Sequence, residues 1–180
     1  MGLIIRKMTL EDIDAVCIME EETFSMPWHR ESFLEMISNR DALYLVAEIC
    51  GSDKCKMTEP DDVVWKSPDL APDYDGDVIV CGCAGVISVL GEGDICNIVV
   101  KEGFRRLGIA ERLVRSMILL GHDEYGIEEF TLEVRKSNDA AISLYEGLGF
   151  VREGVRPGFY DKPKEDAYIY WLRSTDGVTE

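Results

Sequence analysis

The sequence predicts a mixed α/β fold in which one largely antiparallel sheet is flanked by helices. Short β-branched runs alternate with amphipathic stretches along the chain, and two of these runs near the middle are joined by a short turn. The 180 residues can bury one hydrophobic core and are too few for two ordinary domains. We therefore expect a single domain over residues 1–173 and a loose polar tail over residues 174–180.

The first part of the chain predicts a strand, two helices and a second strand. Thr9 can cap the first helix, because Asp12 follows three residues later and can accept a hydrogen bond from the capping residue. Pro27 interrupts the helical pattern and separates the two helices. The expected elements are a strand at 4–6, helices at 9–20 and 31–37, and a strand at 43–47.

Residues 51–77 break this pattern. The segment contains three prolines in an acidic surround, and we expect no more than residues 63–65 to pack against other parts of the chain. It is longer than the usual connection between strands. We interpret it as an inserted loop outside the folded unit.

The second half predicts a hairpin followed by alternating helices and strands. Strands at 78–90 and 95–100 are expected to pair antiparallel around a turn at 91–94. Gly149 marks the end of the last helix. The further elements are helices at 108–120 and 138–148 and strands at 130–134, 150–155 and 167–172.

The stretch from Asn97 to Leu113 predicts a strand, a tight turn and a helix start that can bind an anion. Small residues at Gly108 and Ala110 leave the first N–H groups and the positive dipole end of the helix uncovered. The dinucleotide and P-loop signatures are both absent from this stretch. The alternative is an ordinary solvated Arg-Arg turn before an amphipathic helix.

The Arg-x-x-Gly-x-Ala run at 105–110 resembles the acetyl-coenzyme-A-binding signature of the GNAT family. Residues 132–150 resemble the second half of the GNAT core in the branch that acetylates N-terminal amines. The opening strand, the Pro27-Trp28 loop and residues 165–167 also resemble the bacterial ribosomal-protein-alanine acetyltransferases. The resemblance covers about 3–49 and 78–172 and leaves out the insertion.

This resemblance implies a splayed central sheet that admits acetyl-coenzyme A from one side and an acceptor amine from the other. Backbone N–H groups of the loop would bind the pyrophosphate, and the preceding strand would align the pantetheine arm. The implied coenzyme-binding residues are Ile98, Val99, Val100, Arg105, Arg106, Leu107, Gly108, Ile109, Ala110, Glu111 and Asn138. For Asn138 a helix-capping role is equally open and is compatible with the first.

Two residues are expected to carry the chemistry. Glu133 lies in a strand, where its carboxylate points either to solvent or into a cleft with apolar walls that would raise its pKa. The family resemblance makes it the general base, acting directly or through water. Tyr145 falls on the apolar stripe of a helix and could simply be core; by resemblance it protonates the departing thiolate.

An acceptor groove is expected where aromatic residues and a proline cluster in two loops. The resemblance places Phe24, Pro27, Trp28 and Tyr160 along its walls. The alternative is that these side chains only pack loops over the core. The reaction implied is acetyl transfer to a protein N-terminal α-amine, with other peptide N-termini, lysine or a small amine as alternative acceptors. A non-catalytic coenzyme A sensor would need neither Glu133 nor Tyr145.

The net charge of −16 excludes a general nucleic-acid binder, because phosphate backbones need a basic surface. It favours a cationic partner, such as the basic N-terminal peptide of a ribosomal protein; alternatively it only keeps the protein soluble. No apolar run reaches the length of a membrane span, and the N-terminus lacks a signal-peptide pattern, so we expect no membrane contact and a cytoplasmic location. The sequence predicts no oligomeric state.

The six cysteines predict no disulfide framework, because nothing indicates a secreted protein. Cys50, Cys55, Cys81 and Cys83 could be considered as zinc ligands. Two cysteines separated by one residue of a strand would place both sulfur atoms on one face, unlike the Cys-x-x-Cys spacing of zinc sites. We therefore expect no metal site.

Overall fold

A computed structural model describes residues 2–50, 63–65 and 78–173. Eight strands form one sheet in the order β3-β1-β2-β4-β5-β6-β8-β7. The strands are β1 (Gly2–Lys7), β2 (Ala42–Cys50), β3 (Val63–Trp65), β4 (Ile79–Val89), β5 (Glu92–Val100), β6 (Glu129–Arg135), β7 (Val151–Asp161) and β8 (Lys164–Leu172). The helices are α1 (Ile13–Thr23), α2 (Arg30–Ser38), α3 (Ile109–Tyr125) and α4 (Asp139–Gly147). This confirms the predicted mixed α/β fold.

Helices cover the two faces of the sheet in pairs. On one face, α3 and α4 pack on a cluster that includes Leu113, Met117, Phe130 and Tyr145. On the other face, α1 and α2 form a smaller cluster, in which Phe33 of α2 packs with Tyr44 and Val46 of β2. We call these the α3 face and the α1 face.

The sheet is antiparallel except where β5 and β6 meet. These two strands are parallel and pair only from Glu92↔Glu129 to Asp94↔Thr131. Beyond that point each strand continues to its end, β5 paired with β4 and β6 paired with β8. The two halves of the sheet therefore splay apart and leave a gap between the ends of β5 and β6.

The turn of the β4–β5 hairpin differs from the prediction. It consists of Leu90 and Gly91, whose φ angles are 53° and 89°, and β5 already begins at Glu92. A two-residue hairpin turn with positive φ at both positions matches the twist of its strands. Leucine rarely adopts this conformation, so the sequence pointed instead to the glycines and Asp94.

Two more predicted boundaries need correction. β7 runs through Pro157 to Asp161, because residues 157–159 form an irregularity within the strand and not its end. Residues 63–65 of the insertion form β3, which pairs antiparallel with β1. The insertion thus contributes an edge strand; the rest of it, and the predicted tail from Ser174, lie outside the described residues.

A bulge changes the expected placement of two cysteines. The β2–β4 register shifts between Ala47 and Glu48, which leaves Cys81 as an extra residue on β4. Cys81 consequently packs in the cluster of the α3 face and Cys83 in that of the α1 face. The premise that both sulfur atoms lie on one face is therefore wrong. Cys50 is disulfide-bonded, whereas Cys17, Cys81, Cys83 and Cys96 are free thiols.

Gly85 allows the ring of Tyr44 to lie flat across β4. The two residues are register partners, and a Cβ atom at Gly85 would lie 2.1 Å from Cζ of that ring. We expect Gly85→Ala to lower the free energy of unfolding by about 1–3 kcal/mol, since the buried ring must move. Chemical denaturation measures this. Gly103→Ala is the matched control, because a Cβ there meets nothing within 4 Å; equal losses in both variants would contradict the prediction.

Candidate active site

The gap between β5 and β6 gives β5 an open edge. Ile98, Val99 and Val100 pair with β4 on one side only. Ile98 and Val100 pack toward the α3 face, and Val99 toward the α1 face. Because these residues keep extended geometry, their backbone can pair with an extended ligand as a neighbouring strand would.

The loop from β5 to α3 leaves the helix N-terminus free for an anion. Arg106 and Gly108 adopt left-handed backbone conformations, with φ angles of 67° and 72°. The first hydrogen bond of α3 runs from the Arg112 N–H to the Gly108 carbonyl, at 3.2 Å. The N–H groups of Ile109, Ala110 and Glu111 lie before this bond, so they have no acceptor within the helix itself. These N–H groups form the positive end of the helix dipole, which favours the binding of an anion.

Two arginines shape this loop. Arg105 donates from Nε to the Val100 carbonyl at 3.0 Å and from Nη2 to Thr23 Oγ1 at 3.3 Å. Arg112 donates from Nη1 to the Leu107 carbonyl at 3.0 Å. Arg105, which stays a predicted coenzyme contact, ties the loop to β5 and to the end of α1 through its guanidinium.

Glu133 lies on β6 at the gap, on the α1 face. Its side chain is 22% exposed, and Oε1 accepts a 2.7 Å hydrogen bond from Arg156 Nη1 of β7. The sequence left two settings open for this carboxylate, solvent or an apolar cleft. In the structure it is partly exposed, and an ion pair with Arg156 of β7 holds it in place.

Asp94 is a second carboxylate of the gap that sequence reasoning missed. It is the last residue of β5 that pairs with β6. Partial burial raises its pKa, the negative charge of Glu133 raises it further, and Arg156 opposes both effects. Two carboxylates and one guanidinium thus share the α1 side of the gap, which suits a cationic group.

Tyr145 lies on α4 on the opposite side, the α3 face. It is 8% exposed, and its ring packs on Phe150 with centroids 5.8 Å apart. Burial raises the pKa of its phenol, as does the nearby Tyr160. Tyr160 lies on β7 and donates from its hydroxyl to the Glu133 carbonyl at 3.2 Å. Strand β6 thus separates the predicted acid from the predicted base.

Asn138 caps α4, as one of its two predicted roles requires. Its side-chain oxygen accepts a hydrogen bond from the Ala141 N–H at 3.2 Å. The side chain is exposed at the end of β6. The cap fixes the start of the helix that carries Tyr145.

The predicted acceptor loop divides into a packed part and an exposed part. Trp28 packs on Phe33 and Tyr44, with ring centroids 5.7 and 6.2 Å apart, so it belongs to the core of the α1 face. Phe24 is 38% exposed. Ser25 donates a hydrogen bond to the Lys162 carbonyl in the turn of the β7–β8 hairpin. The loop and the hairpin tip therefore meet over the α1 side of the gap.

A family model for the Acetyltransferase (GNAT) family matches residues 13–150, a range that includes the open edge of β5, the α3 N-terminus, Glu133 and Tyr145. The chain belongs to the GNAT family of acetyltransferases. The splayed sheet and the enzyme class predicted from the sequence are thereby confirmed.

Similarity to individual GNAT proteins extends over nearly the whole chain. A Bacillus subtilis (strain 168) protein, provisionally named ribosomal protein bS18-alanine N-acetyltransferase, is 31% identical over 169 residues, which cover 93% of each chain. The crystal structure of the ribosomal-protein-S18-alanine N-acetyltransferase from Escherichia coli matches with a TM-score of 0.70 at 25% identity, over 96% of this chain and 93% of that one.

The same fold occurs in a chain of a solved complex that contains bound ligands. The crystal structure of the NatC complex bound to Gag peptide and CoA matches with a TM-score of 0.71 at 19% identity, over 96% of this chain and 98% of that one. In the described part of the present chain, no group of three or more His, Cys, Asp or Glu side chains could hold a metal ion. None of its described helices is both long and apolar enough to span a membrane.

One buried network of this GNAT domain was not predicted. Glu20 is 1% exposed on α1; its Oε1 accepts from Asn97 Nδ2 at 2.8 Å and its Oε2 from the Trp28 N–H at 3.2 Å. Burial raises the pKa of Glu20. A signal was available, because Glu20 falls on the apolar stripe of α1 with Ile13 and Val16, where a carboxylate needs a partner.

Proposed function

We propose that this protein transfers the acetyl group of acetyl-coenzyme A to the N-terminal α-amine of a protein, with a ribosomal protein whose first residue is alanine as the leading acceptor. The observation that carries the proposal is the β5–β6 gap. Its two faces carry different chemistry, with an anion site and Tyr145 toward the α3 face and carboxylates toward the α1 face. The names of the full-length relatives support the choice of acceptor.

The loop and the open edge suit coenzyme A. A pyrophosphate would accept hydrogen bonds from the N–H groups of Gly108, Ile109 and Ala110, where the left-handed conformation of Gly108 turns the backbone into the helix. The amides of the pantetheine arm would pair with Ile98 and Val100. These contacts use backbone groups. The loop sequence therefore affects binding through its small residues, which leave the backbone accessible, and through the geometry of the turn.

Catalysis would need a base on one face of β6 and an acid on the other. The acceptor ammonium gives a proton to Glu133, directly or through water, and the neutral nitrogen then forms a bond to the thioester carbon. The carbon–sulfur bond breaks, and the departing thiolate takes the proton of the Tyr145 hydroxyl. The nitrogen, which still carries two hydrogens, loses one of them to water, and the Tyr145 phenolate regains a proton from water. Because burial raises the pKa of Tyr145, this proton is present at neutral pH. Positioning both reactants in the gap removes much of the entropic barrier.

The ionisation of the acceptor favours an α-amine over a lysine. An α-amine has a pKa near ~8 and a lysine near ~10.4, so deprotonation at neutral pH costs a lysine about 3 kcal/mol more. A single carboxylate such as Glu133 is better matched to the smaller task. The net charge of −16 would also attract the basic N-terminal segment of a ribosomal protein in the cytoplasm.

The test compares one alanine-initiated basic peptide in two forms. In the first, the α-amine is free and the lysines are blocked; in the second, the α-amine is blocked and the lysines are free. With acetyl-coenzyme A present, we expect faster acetylation of the first form, measured by mass spectrometry, and a rate that falls as salt rises. Faster acetylation of the second form would move the protein to the lysine or small-amine branch.

A further inference from the structure

Three polar side chains, those of Glu20, Tyr44 and Asn97, lie together on the α1 face, beside the open end of β5. None of them takes part in the proposed proton transfers. Tyr44, Gly85 and Asn97 occupy register positions on the adjacent strands β2, β4 and β5. The Tyr44 ring lies over Gly85 and thus extends toward Asn97. Glu20 approaches Asn97 from α1.

Glu20 fixes the orientation of the Asn97 amide. Both carboxylate oxygens accept hydrogen bonds, Oε1 from the Asn97 NH2 group and Oε2 from the Trp28 N–H, and this contact turns the Asn97 carbonyl oxygen away from Glu20. That oxygen, Oδ1, is buried and has no hydrogen-bond partner among the described residues; the same holds for the Tyr44 hydroxyl. Buried polar atoms are nearly always paired in native proteins, so a group other than the described residues is expected to donate to Oδ1.

The position of Asn97 indicates which group this is. Asn97 directly precedes Ile98, where the open edge of β5 begins, and it keeps 8% of its surface exposed. It lies on the same face as Asp94 and Glu133, the side assigned above to the acceptor. Its oxygen needs an N–H or O–H donor, and an incoming amine is such a donor.

We propose that Asn97 is an acceptor-recognition residue whose Oδ1 accepts a hydrogen bond from the incoming amine or from a water molecule bound to it, and that Glu20 is a positioning residue that turns Oδ1 away from α1. The direction of amine entry rests on the proposed function. Because Glu20 also binds the Trp28 N–H, the same carboxylate fixes the acceptor loop relative to β5.

Glu20→Gln tests the orientation without removing the network. Its oxygen can still accept from the Trp28 N–H, and its NH2 group can donate to Asn97 if the Asn97 amide rotates by half a turn. Asn97 then presents NH2 in place of Oδ1 to the acceptor. We expect kcat/KM for the acceptor to fall about 10- to 100-fold, the range for a hydrogen bond to a charged group, with the KM for acetyl-coenzyme A unchanged.

The double variant Glu20→Gln with Asn97→Asp is the matched rescue. The glutamine NH2 donates to one oxygen of the new carboxylate, and the other oxygen again faces away from residue 20. We expect kcat/KM to return to within about threefold of wild type. A purely structural role predicts parallel changes in thermal stability and none in the acceptor kinetics, and that result would overturn the proposal, as would a double variant no better than Glu20→Gln.

Tyr44→Phe distinguishes the two donors. If a water molecule links the phenol to Asn97, this variant lowers acceptor kcat/KM as Glu20→Gln does; if the amine binds Oδ1 directly, the variant leaves it unchanged. The orientation itself is read by NMR from the side-chain NH2 signals of Asn97, which should shift on Glu20→Gln. If wild type acetylates neither peptide form, the proposed acceptor fails, whereas unshifted NH2 signals would overturn the orientation by Glu20.

Discussion

Tyr145→Phe is expected to lower kcat by about 100-fold or more while the protein stays folded. The ring keeps its packing on Phe150, so the core of the α3 face is preserved. Only the hydroxyl is lost, and with it the proton that neutralises the departing thiolate. Steady-state kinetics with saturating acetyl-coenzyme A measure the loss, and circular dichroism checks the fold.

Tyr170→Phe is the matched control for this prediction. Tyr170 is buried on the same face, and its hydroxyl donates to Glu146 at 2.8 Å, outside the gap. We expect this variant to lose about 1 kcal/mol of stability and to keep its kcat. Wild-type kcat in Tyr145→Phe would return Tyr145 to the hydrophobic core as a packing residue.

Glu133→Gln is expected to lower kcat/KM for the acceptor about 100-fold at pH 7. The amide oxygen can still accept the hydrogen bond from Arg156, so the β7–β8 hairpin stays in place. Since an α-amine is already neutral above its pKa of about 8, the deficit should shrink at pH 9. The pH profile of kcat/KM for both proteins measures this convergence.

Glu129→Gln provides a matched carboxylate on the same strand. Glu129 lies four residues before Glu133 on the same face of β6 and pairs with Arg173. We expect near-wild-type kinetics, because β5 and β6 are still paired at this point and the gap has not opened. A pH-independent deficit in Glu133→Gln would show that its carboxylate only orders the hairpin.

Local patterns in the sequence were sufficient to predict most of the fold and the coenzyme side of the site. The helices carry apolar residues at helical spacing, and the α3 N-terminus is encoded in one continuous run with Gly108 and Ala110. Tyr145 and Asn138 also come from one continuous stretch. Residues that are close in sequence form the loop, so its shape follows from its own composition.

The acceptor side depends on contacts between distant residues. Glu20 and Asn97 are 77 residues apart, and Arg156 reaches Glu133 of β6 from β7, with β8 lying between the two strands. No local period indicates such a pairing, since it depends on strand order and on bulges. The Leu90 turn was missed for a related reason: its backbone is set by the twist of the hairpin and not by the preference of leucine.

The long edge strand β7 has a consequence for association between copies of this protein. Such an edge could add a strand from a second molecule, and β7 exposes Val151 and Val155, at 61% and 46%. Two interruptions disturb its register, one at Glu153 and one at residues 157–159, where Pro157 also lacks an N–H donor. The irregularity that directly follows Arg156 therefore breaks the continuous hydrogen-bonding row on which aggregation through sheet edges depends.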